Sequence, residues 1–178
     1  VEAAMAPGAT PVHADKPDNI LARSRFVVGT GSFAEAAAEP GLLLLDKVYD
    51  TPRVQHCHLE VPSSFAYKDG TGKLVVTSST QIPHILRRII GQALGIPWGS
   101  VRVIKPYIGG GFGNKQDALY EPLNALLCLQ VGGRGVRLEL TREETMFNTR
   151  IRHAITFHVQ AAVRPDGKLV ARKLTAYS

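Results

Sequence analysis

The sequence predicts an α+β domain, with a mixed sheet carrying two main helices behind an extended N-terminal arm. Three observations predict it. Most apolar residues fall in short β-rich runs bounded by turn residues, as in "KLVVTSS" and "SVRVIKPY". Only two long segments have a helical pattern. The order is strands, helix, strand, glycine-rich loop, helix, strand and a closing hairpin.

Residues 1–28 are rich in Ala, Pro, Gly and Asp and have no period of 2 or 3.6. They read as an arm or linker leaving an upstream domain, with residues 29–178 as the domain proper. "SFAEAAAE" holds one or two helical turns, capped by Ser32 and ended by Pro40. "LLLLDKVYDT" and "VQHCHLEVPSSFAYK" read as strands, and "DGTGK" is a turn before "KLVVTSS". Pro83 opens the first helix, whose apolar positions are Ile82, Ile85, Leu86, Ile89, Ile90, Ala93 and Leu94, with Gly95 as its cap. A second helix is expected from Lys115 to about Val131, with Leu123, Leu126, Leu127 and Cys128 on its apolar side. Pro122 fits there only within a first turn. "VRLELT" is a strand and "REETMFNTR" a short helix or turn. "HAITFHVQAAVRPDGKLVARKLTAYS" is a hairpin turning at "RPDGK".

The 178 residues suffice for one domain with a core, and 44% hydrophobic with 20% charged is an ordinary globular balance. No apolar run approaches the roughly 18 residues of a membrane span. No signal peptide shows. With only Cys57 and Cys128, reduced thiols and a cytoplasmic location are the expected default. Two cysteines are too few for a disulfide scaffold or a four-thiolate cluster. The net charge of +6 comes without a Lys/Arg block longer than two residues and with few aromatics. That argues against nucleic acid and suits an anionic small ligand.

"VRVIKPYIGGGFGNKQD" puts three bare residues between a strand and a helix, a pattern whose inward N–H groups make an anion site. It is not the phosphate loop G-x-x-x-x-G-K-[ST], because Gln116 follows Lys115 where a metal-binding hydroxyl belongs. Nor is it the dinucleotide loop G-x-G-x-x-G, since Asn114 takes the last glycine's place and no acidic ribose partner follows. "SSTQIP" makes a second strand-to-helix corner, with Thr80 as an N-cap and Gln81 as an amide donor and acceptor. If the two strands are neighbours, both corners open at one sheet edge.

These residues carry a resemblance. "VTSSTQIPHILRRIIGQALGIPWGSVRVIKPYIGGGFGNKQD" resembles the molybdenum-binding subunit of the xanthine dehydrogenase and aldehyde oxidase family of molybdenum hydroxylases, bacterial xanthine dehydrogenase type. The similarity reaches "YDTPRVQHCHLE" upstream and "TREETMFNTRIRHA" downstream. It implies that residues 29–178 are the first molybdopterin-binding domain, a two-layer fold holding part of the cofactor site. Gln81 then corresponds to the glutamine whose amide hydrogen-bonds the oxo ligand of molybdenum. Phe112 corresponds to the phenylalanine whose backbone sits beside the metal centre, and Gly110, Gly111 and Gly113 to the glycines that let the chain approach the pterin. Gln116 corresponds to a substrate-facing glutamate of the animal purine enzymes, and as an amide it puts purine specificity in doubt. The resemblance places the catalytic glutamate and a second cofactor loop further along than these 178 residues. It implies one piece of a larger subunit, inactive alone, with no catalytic residue or metal ligand of its own. The implied cofactor is molybdenum–molybdopterin in a dinucleotide form, with iron–sulfur and FAD centres on partner subunits or domains. The implied reaction is hydroxylation of a purine, another N-heterocycle or an aldehyde with water-derived oxygen. The alternatives are an aldehyde or nicotinate-type hydroxylase, a non-catalytic assembly module, and a nucleotide-binding domain.

Plainer readings stand beside these. "HCH" puts His56 and His58 on one strand face, but two ligands make no metal site, so packing or a polar network explains them better. Glu60 reads as structural, and Arg152 and His153 as a buried ion pair or turn support. Glu143 and Glu144 suit a helix's first turn, Arg87 and Arg88 a solvated face, and Cys128 the core.

Overall fold

The computed structural model describes residues 2–178; Val1 of the predicted arm lies outside them. Its described residues divide into two compact units, residues 54–152 and residues 2–53 with 153–178.

The second of these carries β1 (Leu43–Thr51), which pairs antiparallel with β6 (Ile155–Val163), which pairs antiparallel with β7 (Leu169–Tyr177). The β6–β7 hairpin turns at "RPDGK" as its sequence predicts, closed by Gly167 N–H donating to the Arg164 carbonyl at 2.8 Å. Before β1 lie α1 (Glu2–Met5) and α2 (Phe33–Ala37). Ser32 caps α2 in a capping box with Glu35, and the helix stops three residues before Pro40. The rest of 6–28 has no regular element and is mostly exposed.

The 54–152 unit holds the predicted mixed sheet. Its four strands run in the order β4-β3-β2-β5, where β2 is Ser63–Lys68, β3 Leu74–Ser78, β4 Val101–Ile104 and β5 Val136–Glu139. β3 and β4 are parallel and the other pairs antiparallel. The crossover between the parallel strands is α3 (Pro83–Leu94), with proline in its first turn and Gly95 as a left-handed cap at φ +65°. α4 (Glu121–Gln130) and α5 (Arg142–Asn148) complete the unit. The core joins Ala66, Leu74, Val76 and Val101 of the sheet to Leu86 and Ile90 of α3 and Ala125 and Cys128 of α4. Burial pushes the Cys128 thiol pKa up, as suits an inert core cysteine.

Four expectations are corrected. The second helix begins at Glu121, not Lys115, because Gly113 is left-handed and Asn114–Gln116 forms only a short 3₁₀ turn. Pro122 therefore falls in a first turn. The buried face of α4 is Glu121, Asn124, Ala125 and Cys128, while Leu123, Leu126 and Leu127 are exposed. Asn124 turns inward to donate to Ser64 Oγ at 2.9 Å, a polar contact that leucine periodicity hides. No strand spans residues 55–60, where Cys57 sits at φ +46° and the backbone bonds elsewhere. Arg152 and His153 are exposed and form no buried ion pair; Arg152 makes a backbone bridge to Val54.

Candidate functional site

Because β3 and β4 are parallel neighbours, both strand-to-helix corners open at the same sheet edge, as the sequence reading required. The corner after β3 holds Ser79, Thr80 and Gln81. Thr80 does not cap the helix in the expected way. The N-cap is Ile82, and Thr80 Oγ1 accepts from the Ile82 N–H at 3.1 Å in a tight local turn. The corner after β4 is the glycine loop, and the two are bonded together. Gln81 N–H donates to the Lys115 carbonyl at 2.9 Å, and Gly113 N–H donates to Gln81 Oε1 at 3.1 Å. The second bond orients the amide, since an N–H must face the oxygen. Gln81 Nε2 then remains a donor with no partner among the described residues.

The loop's bareness has causes within the protein as well. A Cβ on Gly111 would lie 2.5 Å from Gln81 Oε1, and one on Gly109 would lie 2.6 Å from Glu60 Cβ. Gly110 and Gly113 have φ of +99° and +89°. Gly113 differs from Gly109 and Gly111 in that a Cβ there would meet nothing within 4 Å. Phe112 is held left-handed at φ +50° and is 70% exposed, a strained backbone without a packing reason for its aromatic side chain. Gln116 is exposed at the end of the 3₁₀ turn.

Several residues that the sequence left in the background hold this corner. Glu60 N–H donates to the Gly109 carbonyl at 3.1 Å. Its carboxylate Oε2 accepts from Gly109 N–H at 2.9 Å and from Lys115 Nζ at 2.7 Å. Lys115 is 2% exposed, so its ammonium has left water for that carboxylate. Burial alone would raise the Glu60 pKa, but the hydrogen bonds from Lys115 and Gly109 outweigh it and hold the carboxyl below its ordinary 4.5. Asn114, fully buried, donates to Thr149 Oγ1 at 2.9 Å and Gln55 Oε1 at 3.3 Å. At the base of the corner, Glu121 accepts from Ser78 Oγ at 2.7 Å and from the N–H groups of Leu119 and Tyr120 at 2.8 and 3.1 Å. A buried acid directly after "LY" gives no periodic signal, so sequence reasoning missed Glu121. Lys115 was legible only as part of a loop.

His58 is a buried polar-network residue, as the plainer reading has it, though not on a strand. Its Nδ1 lies 2.6 Å from the Glu60 carbonyl, which can only accept, so Nδ1 carries the proton. Nε2 is buried without a partner among the described residues. Desolvation lowers the His58 pKa from its ordinary 6.5 against the Glu60 hydrogen bond, with help from the nearby charges of Lys115 and Arg142. The folded state therefore binds its proton less readily than the unfolded chain does. Its contribution to stability is present above about pH 6.5 and is lost as pH falls below that, toward the lowered folded value. We expect denaturant midpoints taken from about pH 5 to 8 to fall on the acid side, and His58→Gln to flatten that slope. An unchanged slope in the variant would assign the pH dependence to other groups.

This arrangement offers an oriented amide donor, a strained and exposed loop backbone, and one open left-handed glycine at the edge of a parallel strand pair. It suits a polar group with acceptor oxygens, held by hydrogen bonds without protein ligands. Among the described residues, no three His, Cys, Asp or Glu side chains are grouped to hold a metal ion.

Comparisons with known proteins agree on one family. The family model described as the molybdopterin cofactor-binding domain matches residues 12–178. The putative xanthine dehydrogenase molybdenum-binding subunit XdhA of Escherichia coli (strain K12) is 45% identical over 177 residues, which is 99% of this chain and 23% of that relative. The nicotinate dehydrogenase large molybdopterin subunit of Eubacterium barkeri is 33% identical over 77% of the chain and 32% of its own length. Among solved structures, the aldehyde oxidoreductase of Desulfovibrio gigas superposes with a TM-score of 0.77 at 23% identity. That match covers 97% of this chain and 19% of that one. The chain thus spans about a quarter of the length of the E. coli relative.

Proposed function

Because the chain belongs to the molybdopterin cofactor-binding domain family, we propose that its paired corners hold part of a molybdenum–molybdopterin site in a xanthine dehydrogenase-like hydroxylase. The observation that carries this reading is the orientation of Gln81. Its Oε1 is held by Gly113 N–H, which leaves Nε2 to donate to an oxygen of the bound group. Gly110, Gly111, Phe112 and Gly113 would lie against the pterin, Gly113 having an open side and Phe112 a strained backbone. Gln116, exposed beside them, would face substrate with a neutral amide.

When bound, the molybdenum centre supplies the redox chemistry and the activated oxygen; the chain's share is position and electrostatics. Gln81 fixes an acceptor oxygen by one directed hydrogen bond. The loop N–H groups offer partial positive charge, and the net charge of +6 favours an anionic cofactor. The chain supplies no general base in this reading, and the base comes from elsewhere in the assembled enzyme.

The same reading takes the cofactor as a dinucleotide form, the partners as iron–sulfur and flavin subunits, and the location as the cytoplasm. It takes residues 29–178 as the cofactor-binding domain and 1–28 as its arm. No described helix is long and apolar enough to cross a membrane. A purine or other N-heterocycle is the favoured substrate, because the xanthine dehydrogenase subunit is 45% identical and the nicotinate enzyme 33%. An aldehyde is the second reading, supported by the aldehyde oxidoreductase subunit PaoC of Escherichia coli at 34% identity.

The deciding measurement is the molybdenum content of the native complex containing this chain, purified from its host grown with molybdate. Molybdenum equimolar with the chain is expected. An intact complex without it would leave the two corners as fold relics and favour an assembly module.

A further inference from the structure

We propose that the Glu60–Lys115 pair is a positioning device that holds the glycine loop in register with Gln81. This inference rests on the cofactor-site reading above. The two carboxylate contacts and the backbone bonds form a closed circuit. Glu60 grips Gly109 through both its main-chain N–H and its carboxylate, at 3.1 and 2.9 Å. The same carboxylate oxygen takes the Lys115 ammonium at 2.7 Å. The Lys115 carbonyl takes Gln81 N–H at 2.9 Å, and Gln81 Oε1 takes Gly113 N–H at 3.1 Å. The hydrogen bonds that join Glu60, the loop and Gln81 are all 3.1 Å or shorter.

The pair's chemistry fits holding better than bulk stability. Only the Lys115 end is buried, Glu60 being 33% exposed, and burying that ammonium offsets much of the attraction, so the pair is weak evidence for stability. It does fix geometry, because only one arrangement keeps the 2%-exposed ammonium paired. The ammonium is the loop's own residue, and the carboxylate comes from the 55–60 segment that forms no strand. That segment is itself pinned by Arg142 Nη2, which donates to the carbonyls of His58 and Leu59 at 2.9 and 3.0 Å. The loop is held by a second segment because its own glycines supply little stiffness. Their hydrogen bonds run to Gly109, to each other and, through the Lys115 carbonyl, to Gln81 N–H, so both act through Gln81 and the loop backbone.

Removing one charge strands the other, so the informative variant is the double change Glu60→Gln with Lys115→Met, which removes both. It is made in the native complex and examined by amide hydrogen exchange and by molybdenum retention. We expect exchange in peptides covering 109–116 to rise about tenfold or more, with β2, β3 and α3 unchanged, and molybdenum to be lost faster than from wild type. Lys115→Arg alone, which keeps the pair, should keep much of the wild-type protection. Unchanged exchange over 109–116 would overturn the proposal. So would a rise spread equally over β2, β3 and α3, which would make the pair a support of the whole unit. Faster local exchange with wild-type retention would overturn the positioning role. A wild-type complex without molybdenum would overturn the cofactor reading instead, and the exchange measurement reads the clamp in either case.

Discussion

Replacing Gln81 with Ala in the native complex is expected to cut turnover and molybdenum content roughly tenfold to a hundredfold, while the fold survives. A hydrogen bond to a charged group contributes about 1.5–3 kcal/mol, which corresponds to that range. The side chain is only partly buried, and its internal role is one bond to Gly113 N–H. Losing it frees one loop amide and opens no core cavity. Gln81→Glu is the sharper comparison. A carboxylate still accepts from Gly113 N–H, but the atom replacing Nε2 no longer donates and carries negative charge toward an acceptor oxygen. It should therefore be at least as impaired as the alanine variant, although it is closer in shape. Measuring kcat and KM separately, with molybdenum per chain, divides loss of occupancy from loss of rate. A Gln81→Glu enzyme with wild-type molybdenum and rate would remove the amide from the site.

The largest effect on stability is expected from Glu121→Ala. Its carboxylate is the partner of three donors, the Ser78 hydroxyl and the N–H groups of Leu119 and Tyr120. Ser78 is 2% exposed and Glu121 6%, so water does not readily replace the lost acceptor. With buried unsatisfied groups costing about 1–3 kcal/mol each, the variant should lose about 3 kcal/mol or more. Glu121→Gln should lose less. Its amide oxygen can face the two N–H groups while its NH₂ donates to the Ser78 hydroxyl, which accepts after rotating. Denaturant unfolding of the two variants tests the order. Equal losses would mean that charge, not the count of acceptors, governs this position. Because Ser78 ends β3, both variants should also weaken the corner that carries Gln81.

The pattern of apolar residues and turns determined the elements whose causes are local. Pro83 and Gly95 bound α3 because one supplies a preset φ and the other tolerates φ +65°. Ser32 caps α2, and "RPDGK" turns the hairpin, for similar local reasons. The two strand-to-helix corners, with Gln81 and the glycine loop, were legible because bare backbone and a lone amide beside helices are unusual in sequence. Tertiary structure decided the rest. Nothing local says that β3 and β4 are parallel neighbours, which is what brings the corners together. Residues 55–60 have strand composition, but their backbone groups find better partners in Gly109 and Arg142. The leucines of α4 face outward because Asn124 and Glu121 have hydrogen-bond partners inside, at Ser64 and Ser78. Lys115 is buried because Glu60, 55 positions earlier, meets it. Hydrophobic period reports which face can be buried; only the fold decides which polar groups find partners there and so become buried too.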